Sequence, residues 1–426
     1  MGNDTSLISR IKAQITRFSS RLSDGLGKVK SRFVAEMLYG IQVSKDVKVS
    51  NVSRSLNEKV ALIKTENRLC RNLCDRDLTS HINRRICADG ARLVCEETVL
   101  AVDIGDIRKG WAKKMENLAK VHDGSTGEIA DGYWLCQVVA AHPYGEKAVP
   151  LYGELYSQKA KGFVSENARM LDAIKTVTEA TAGRGIVAID RGGDRRTIII
   201  PLIDNGLSFV VRQKGDRHIV MPSGAIHPIS RAAKWIRTSI ERTVEVEREG
   251  YIEKKHLRLG SMKAGLPERP NEHLWLVVVR GFGAKPIYLL TNIPLLRRDE
   301  HAAWISDIYL TRWKCEETYR YLKQSYNLED VRVRSYTALR NTYALVHAVS
   351  YFVSAVIGIR AKMKLVFRKL CEKAKRFYHV AAFYHYAVAD GIHRLLFSTT
   401  TPFLPSQTPV PKNTGQLPLP FAQPPP

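Results

Sequence analysis

Four side chains late in the chain have the types and spacing to act together from one helical face. Tyr309, Arg312, Glu316 and Lys323 follow one another at steps of three, four and seven residues. At about 100° per residue, these steps gather them within an arc of about 60° on a helix. One stripe would then carry a phenol, a guanidinium, a carboxylate and an ammonium, while Ile308, Cys315, Tyr319, Leu322 and Tyr326 supply the apolar stripe that seats it. The plainer reading is an ion-pair ladder, with Arg312 facing Glu316 one turn on. Two more carboxylates end apolar runs: Asp103 follows Val99-Leu-Ala-Val102, and Asp190 follows Ile186-Val-Ala-Ile189. Taken singly, each reads as a loop cap. Brought together at the ends of strands in one sheet, they would form a hard oxygen site suited to Mg²⁺.

The elements that must position these groups follow from the texture of the chain. Residues 5–23 place Ile8, Ile11, Ile15, Phe18 and Leu22 at helical spacing, and residues 50–74 set a Leu62, Leu69, Leu73 stripe beside a basic one made of Lys64, Arg68 and Arg71. That basic stripe is either a solvated face or a track for a phosphate backbone. From about residue 91 the runs are of β type: 98–105, 133–141, 148–156, 185–190, 197–202 and 208–212, with a helix over 166–182. Strands are again expected at 251–259, 274–280 and 286–291, and helix from Ala302 to about 397. The pattern predicts a mixed α/β sheet with carboxylates at strand ends.

Composition limits what such a sheet would serve. The 426 residues hold 66 Lys+Arg against 42 Asp+Glu, a net charge of +24, with 44% hydrophobic residues. This is a globular composition with a charge far beyond what solubility needs, so a polyanion, first of all nucleic acid, is the expected partner. Arg360, Lys362, Lys364, Arg368, Lys369, Lys373, Lys375 and Arg376, opposed only by Glu372, form the densest basic run. Seven thinly spread cysteines argue for reduced thiols, and Cys70 and Cys74 read as two small apolar residues one helical turn apart rather than as zinc ligands. The apolar stretch 342–359 is broken by His347, Ser350, Ser354 and Gly358 and predicts a buried helix rather than a membrane span. The first thirty residues alternate polar and apolar types without a signal segment, so a cytoplasmic protein is expected.

In that setting the string Tyr309-x2-Arg312-x3-Glu316-x6-Lys323 resembles the Y-R-E-K signature of DDE transposases of the insertion-sequence-four type. Asp190-Arg191-Gly192-Gly193-Asp194 is similar to the second-acid motif of that family, D-R-x-x-D, and Val102-Asp103-Ile104 to the strand of its first acid. The resemblance spans roughly residues 30–360. It implies a ribonuclease-H-like core in which Asp103, Asp190 and Glu316 are catalytic and hold two Mg²⁺ (or Mn²⁺) ions. It also implies that Tyr309, Arg312, Lys323 and Arg191 hold DNA near the cut. The implied activity is metal-dependent cleavage and strand transfer at the ends of a mobile element, in a cut-and-paste transposition. The implied partners are double-stranded DNA, as element ends and target, and a second copy of the chain assembled on it. This chain departs from the family pattern in having Gly105 with Asp106 after the first acid, which leaves Asp106 as an alternative first ligand, and in its Gly192-Gly193 pair.

The expected organisation is a helical DNA-binding region at 1–90, a first core part at 91–212, a β-rich insertion at 213–300 and a final core helix bearing Glu316 at 301–345. A C-terminal helical region at 346–400 and a disordered tail at 401–426, holding nine of the 18 prolines, complete it. Two other readings compete. Val102-Asp-Ile-Gly105 also resembles the phosphate-contacting turn of actin-like kinases, and a transposase-derived DNA-binding protein that no longer cuts is the non-enzymatic alternative, against which intact Asp103, Asp190 and Glu316 argue.

Overall fold

A computed structural model describes residues 2–122, 124, 126–145, 147–248, 251–357 and 385–404. The basic run 360–376, Cys371 and the tail from 405 onward lie outside the described residues. Five helices come first: α1 (Gly2–Leu22), α2 (Lys28–Ser44), α3 (Val49–Ser55), α4 (Leu62–Asp75) and α5 (Thr79–Gly90). They are amphipathic and share one core, with Ile11, Ile15, Phe18 and Leu22 of α1 all buried. In α4 the buried face is Thr65, Leu69 and Leu73, whereas Leu62 is 37% exposed, so the buried stripe starts at Thr65, one turn after the leucine expected to open it. Cys70 and Cys74 stand exposed on α4 instead of packing as small apolar residues.

A large mixed sheet follows. Its strands are β1 (Val99–Arg108), β2 (Ala119–His122), β3 (Ile129–Ala141), β4 (Ala148–Tyr156), β5 (Ile186–Ile189), β6 (Phe209–Gln213), β7 (His218–Val220), β8 (Ile226–Pro228), β9 (Ile240–Arg248), β10 (Tyr251–Leu266), β11 (Arg269–Arg280) and β12 (Ile287–Thr291). β1, β3 and β4 run as an antiparallel meander. α6 (Glu166–Ala180) then carries the chain across to β5, which lies parallel to β1, and α7 (Arg196–Asp204) carries it on to β6, parallel to β5. Residues 197–202, expected as a strand, therefore form a helix. Their β-branched composition yields to the need for a crossover between two parallel strands, and Ile198, Ile199 and Leu202 turn one apolar face into the core.

The β-rich stretch of 213–300 does not make a sheet of its own. β12 pairs antiparallel with β6, β11 with β12, and β10 with β11, so these strands extend the first sheet. A short helix, α8 (Ile229–Ala232), interrupts them. The chain then returns through α9 (Arg298–Thr311) and α10 (Trp313–Tyr326) over β1, and α11 (Tyr336–Tyr351) packs between β4 and the N-terminal helices. α11 continues as a π-helical turn, Phe352–Ile357, buried throughout. Among the described residues no helix is long and apolar enough to cross a membrane. The last described helix, α12 (His385–Phe397), rests on α2.

Candidate functional site

Strand register builds the site. Val102 of β1 lies opposite Ile189 of β5, and Ile189 lies opposite Val211 of β6, all three strands running the same way. The next residue on each is Asp103, Asp190 and Arg212, so two acids and a base stand at one level. Asp190 follows the end of β5, whereas Asp103, expected at a strand end, lies mid-strand opposite Gln137, because β1 keeps its pairing with β3 as far as Arg108. Arg212 went unnoticed in the sequence because a basic residue at the end of Phe209-Val-Val has no signature until its neighbours are known. Asp103 and Asp190 line a cavity of about 280 Å³ together with Asp106 and with Glu166, from the first turn of α6. Burial and the nearby carboxylates Asp190 and Glu316 push Asp103 up to about 7, against the pull of Arg312.

The glycines of the second motif are required by close approach. Asp190 Oδ1 accepts a hydrogen bond from the Gly192 amide at 2.7 Å, and a Cβ on Gly192 would stand 2.9 Å from that oxygen. A Cβ on Gly193 would come within 2.5 Å of Ile189 Cγ2. Arg191 stays exposed at the tip of this turn. Asp194 is buried and serves the fold: it accepts from the Lys214 amide at 2.8 Å and from Arg217 Nε at 2.6 Å, tying down the loop after Arg212.

The helical stripe is not continuous. α9 stops at Thr311 and α10 starts at Trp313, with Arg312 N donating to Tyr309 O and Cys315 N to Arg312 O. These three-residue steps tighten the chain at Arg312 and put the four stripe residues on two helices. Arg312 Nη2 donates to Glu316 Oε1 at 2.6 Å, and Nη1 stands 3.6 Å from Asp103 Oδ1. Burial alone would lower the guanidinium, but Asp103 and Glu316 outweigh it and hold it charged. Arg312 Nε is buried without a hydrogen-bond partner.

Two stripe residues depart from the expected phosphate grip. Tyr309 is 1% exposed, and its hydroxyl accepts from Arg212 Nη1 at 3.0 Å, so it braces a guanidinium instead of facing solvent. Lys323 lies 3.4 Å from Asp106 Oδ2 and 3.0 Å from Glu329 Oε1, because α10 crosses β1 where Asp106 points at it. Asp106 also accepts from the Gly124 amide at 3.3 Å. Tyr319 holds α10 to β1 by donating to Asp103 O at 2.9 Å, and a Cβ on Gly105 would press into its ring at 3.0 Å. Gly105 is thus mid-strand, opposite Leu135, and forms no phosphate-binding turn, which removes the actin-like reading. In α4, Arg68 is taken up by Glu36 and, at 2.7 Å, by Glu58, leaving Lys64 and Arg71 as the exposed part of the basic stripe.

In donor chemistry the paired carboxylates Asp103 and Asp190 suit a hard divalent cation. Among the described residues no three His, Cys, Asp or Glu already stand in a ligating arrangement. Arg312 holds the position between Asp103 and Glu316 that a cation would otherwise neutralise.

Residues 150–352 match the family described as Transposase DDE domain. The matched segment is just under half of the chain and includes Asp190, Arg212, Tyr309, Arg312, Glu316 and Lys323, while Asp103 precedes it. One solved structure, the cryo-EM structure of the piggyBac transposase synaptic complex with hairpin DNA, is similar over 95% of this chain and 80% of that one, with 11% identity and a TM-score of 0.46. That likeness is too slight to carry an argument. No curated protein matches the chain.

Proposed function

We propose that this chain is a transposase that binds the ends of its own mobile element and cuts and rejoins DNA there in a metal-dependent reaction. The observation that carries the reading is the common level of Asp103, within β1, and Asp190, just past the end of the adjacent parallel β5, with Arg312 bridging Asp103 and Glu316. The match of residues 150–352 to a transposase domain points the same way. Support for a ribonuclease-H-like core comes from the strand order β4-β3-β1-β5-β6, an antiparallel meander followed by two parallel strands.

In this reading Asp103, Asp190 and Glu316, once released from Arg312, would hold Mg²⁺ or Mn²⁺, two ions in all. Bound metal would lower the pKa of the attacking water or 3′-hydroxyl and stabilise the leaving oxygen of an in-line displacement. The residues of the chain do the rest. Arg312, with its free Nε, moves from the carboxylates to a phosphate oxygen, where a planar fork binds best. Arg212, braced by Tyr309, offers a second guanidinium beside Asp190. Lys64, Arg71 and Arg191 are exposed and contact the backbone of the duplex. Joining two ends calls for two copies of the chain assembled on DNA. A transposase-derived protein that only binds DNA would have no need of Asp103 and Glu316 intact around one guanidinium, with Asp190 at the level of Asp103.

The test is Mg²⁺-dependent nicking of a duplex carrying the inverted repeats that flank the coding region, with Asp190→Asn as control. Site-specific nicks made by the wild type and not by the variant are expected. Binding without any nicking, across Mg²⁺ and Mn²⁺, would leave the non-cutting relative as the correct reading.

A further inference from the structure

Trp111 lies outside the catalytic reading, yet its surroundings ask for a ligand. It is 99% exposed, and among the described residues no large apolar side chain is more exposed. A tryptophan in that position forgoes the burial that normally accounts for its presence. Its neighbours are basic, since Arg108, Lys109, Lys113 and Lys114 surround it in sequence and Lys113 and Lys114 are exposed.

The segment that displays it is firmly held. Lys109 N donates to Asp131 O at 2.6 Å, and the Ala112 amide closes a turn on Lys109 O at 2.9 Å. Lys109 Nζ is spent on the carbonyls of Val331, at 2.7 Å, and of Glu329. On the far side, Glu116 N donates to Arg334 O at 3.0 Å, and the Glu116 carboxylate accepts from the Tyr336 amide at 2.7 Å. The indole therefore stands on a braced loop and loses little freedom when it meets a partner.

Its position relates it to the acids. β1, which carries Asp103, runs on to Arg108, five residues and roughly 17 Å further at ~3.3 Å per residue. DNA that ran along β1 from the acids would reach this loop about five base pairs away, at ~3.4 Å per pair.

We propose that Trp111 stacks on the bases of bound DNA where the duplex is opened, while Lys113 and Lys114 take the adjacent phosphates. An aromatic face accepts any base, and flanking cations supply the backbone attraction. This inference rests on the reading of the chain as a DNA-processing protein.

The experiment uses the full chain with two probes, a 30-base-pair duplex of mixed sequence and the same duplex with a two-nucleotide mismatched bubble containing 2-aminopurine. Wild type is expected to bind the bubble about 5- to 100-fold more tightly than the intact duplex and to change the 2-aminopurine fluorescence. Trp111→Ala should lose both effects, and Trp111→Phe should regain part of each. The Lys113→Ala, Lys114→Ala pair should lower the log-log salt slope by about two and keep the bubble preference. An unchanged preference and fluorescence in Trp111→Ala would overturn the stacking role and leave the transposase reading standing. A change in self-association in place of DNA binding would overturn it too. Failure of wild type to bind either probe would refute the DNA reading itself.

Discussion

Asp103 and Asp190 stand side by side because the residues just before them, Val102 and Ile189, are partners across parallel strands. Backbone pairing fixes their separation, so replacing one carboxylate by its amide keeps the shape of the site and removes a charge. Asp103→Asn and Asp190→Asn should each slow Mg²⁺-dependent cleavage by on the order of 10³-fold or more, since metal stabilisation of developing charge is worth several kcal/mol. Affinity for DNA should stay within a few-fold of wild type. Single-turnover cleavage on pre-bound DNA decides, and wild-type rates in Asp190→Asn would dismantle the site.

Lys323 is committed to the protein. Its side chain is 27% exposed and that of Asp106 10%, and the two are 3.4 Å apart. Among the described residues, Lys323→Ala would leave Asp106 with the Gly124 amide as its remaining donor. A loss of about 1 to 3 kcal/mol is expected in urea unfolding. Lys323→Ala, Asp106→Asn together should recover part of that loss. Unchanged stability in the single variant would free Lys323 for a DNA role.

Glu58 supplies a pH dependence. Burial would raise its carboxyl, but the hydroxyl of Thr65 and the guanidiniums of Arg68 and Arg32 outweigh this and hold it below the ordinary carboxylate range. A depressed pKa in the folded state means that the unfolded chain binds the extra proton. The stabilisation is thus complete above pH of about 4.3, the unfolded value, and fades as pH falls through the folded one. Glu58→Gln should melt lower than wild type at pH 7 and lose less on acidification to pH 3. Parallel melting curves for the two proteins across that range would contradict the assignment.

The basic stripe of α4 should divide in two. Arg68→Ala breaks a partly buried ion network with Glu36 and Glu58 and should lower the melting temperature. Lys64→Ala with Arg71→Ala should leave melting unchanged and flatten the salt dependence of DNA binding by about 0.9 per lost phosphate contact. If the slope does not move, the exposed pair is an ordinary solvated face.

Much of the site was legible in the sequence because a buried run that turns polar announces itself. An apolar run that stops at an acid, as at Val102-Asp103 and Ile189-Asp190, records the buried strand and the level of the acid, although only β5 ends there and β1 continues to Arg108. What could not be read was anything that depends on which strand lies beside which. Arg212 acquires meaning only through its place next to Ile189 and Asp190, and Tyr309 only through Arg212. Helical periodicity likewise put Tyr309, Arg312, Glu316 and Lys323 on one face, because it carries no information about the tightened step at Arg312. Residues 197–202 misled for the opposite reason, since their β-branched side chains report burial, and the topology decides between strand and helix.

The shared level of Asp103, Asp190 and Arg212 makes the site tolerant and brittle in different places. Connections such as the loop before α6 can gain or lose residues without moving any of the three, because hydrogen bonding between strands resets the register after each crossover. A single residue inserted within Ile186–Ile189 would instead carry Asp190 one position past its neighbours and swing its side chain to the other face of the sheet. Length variation among natural copies of this sequence should therefore collect in the crossovers and spare these three short strands, a pattern that sequencing of such copies can read without any assay.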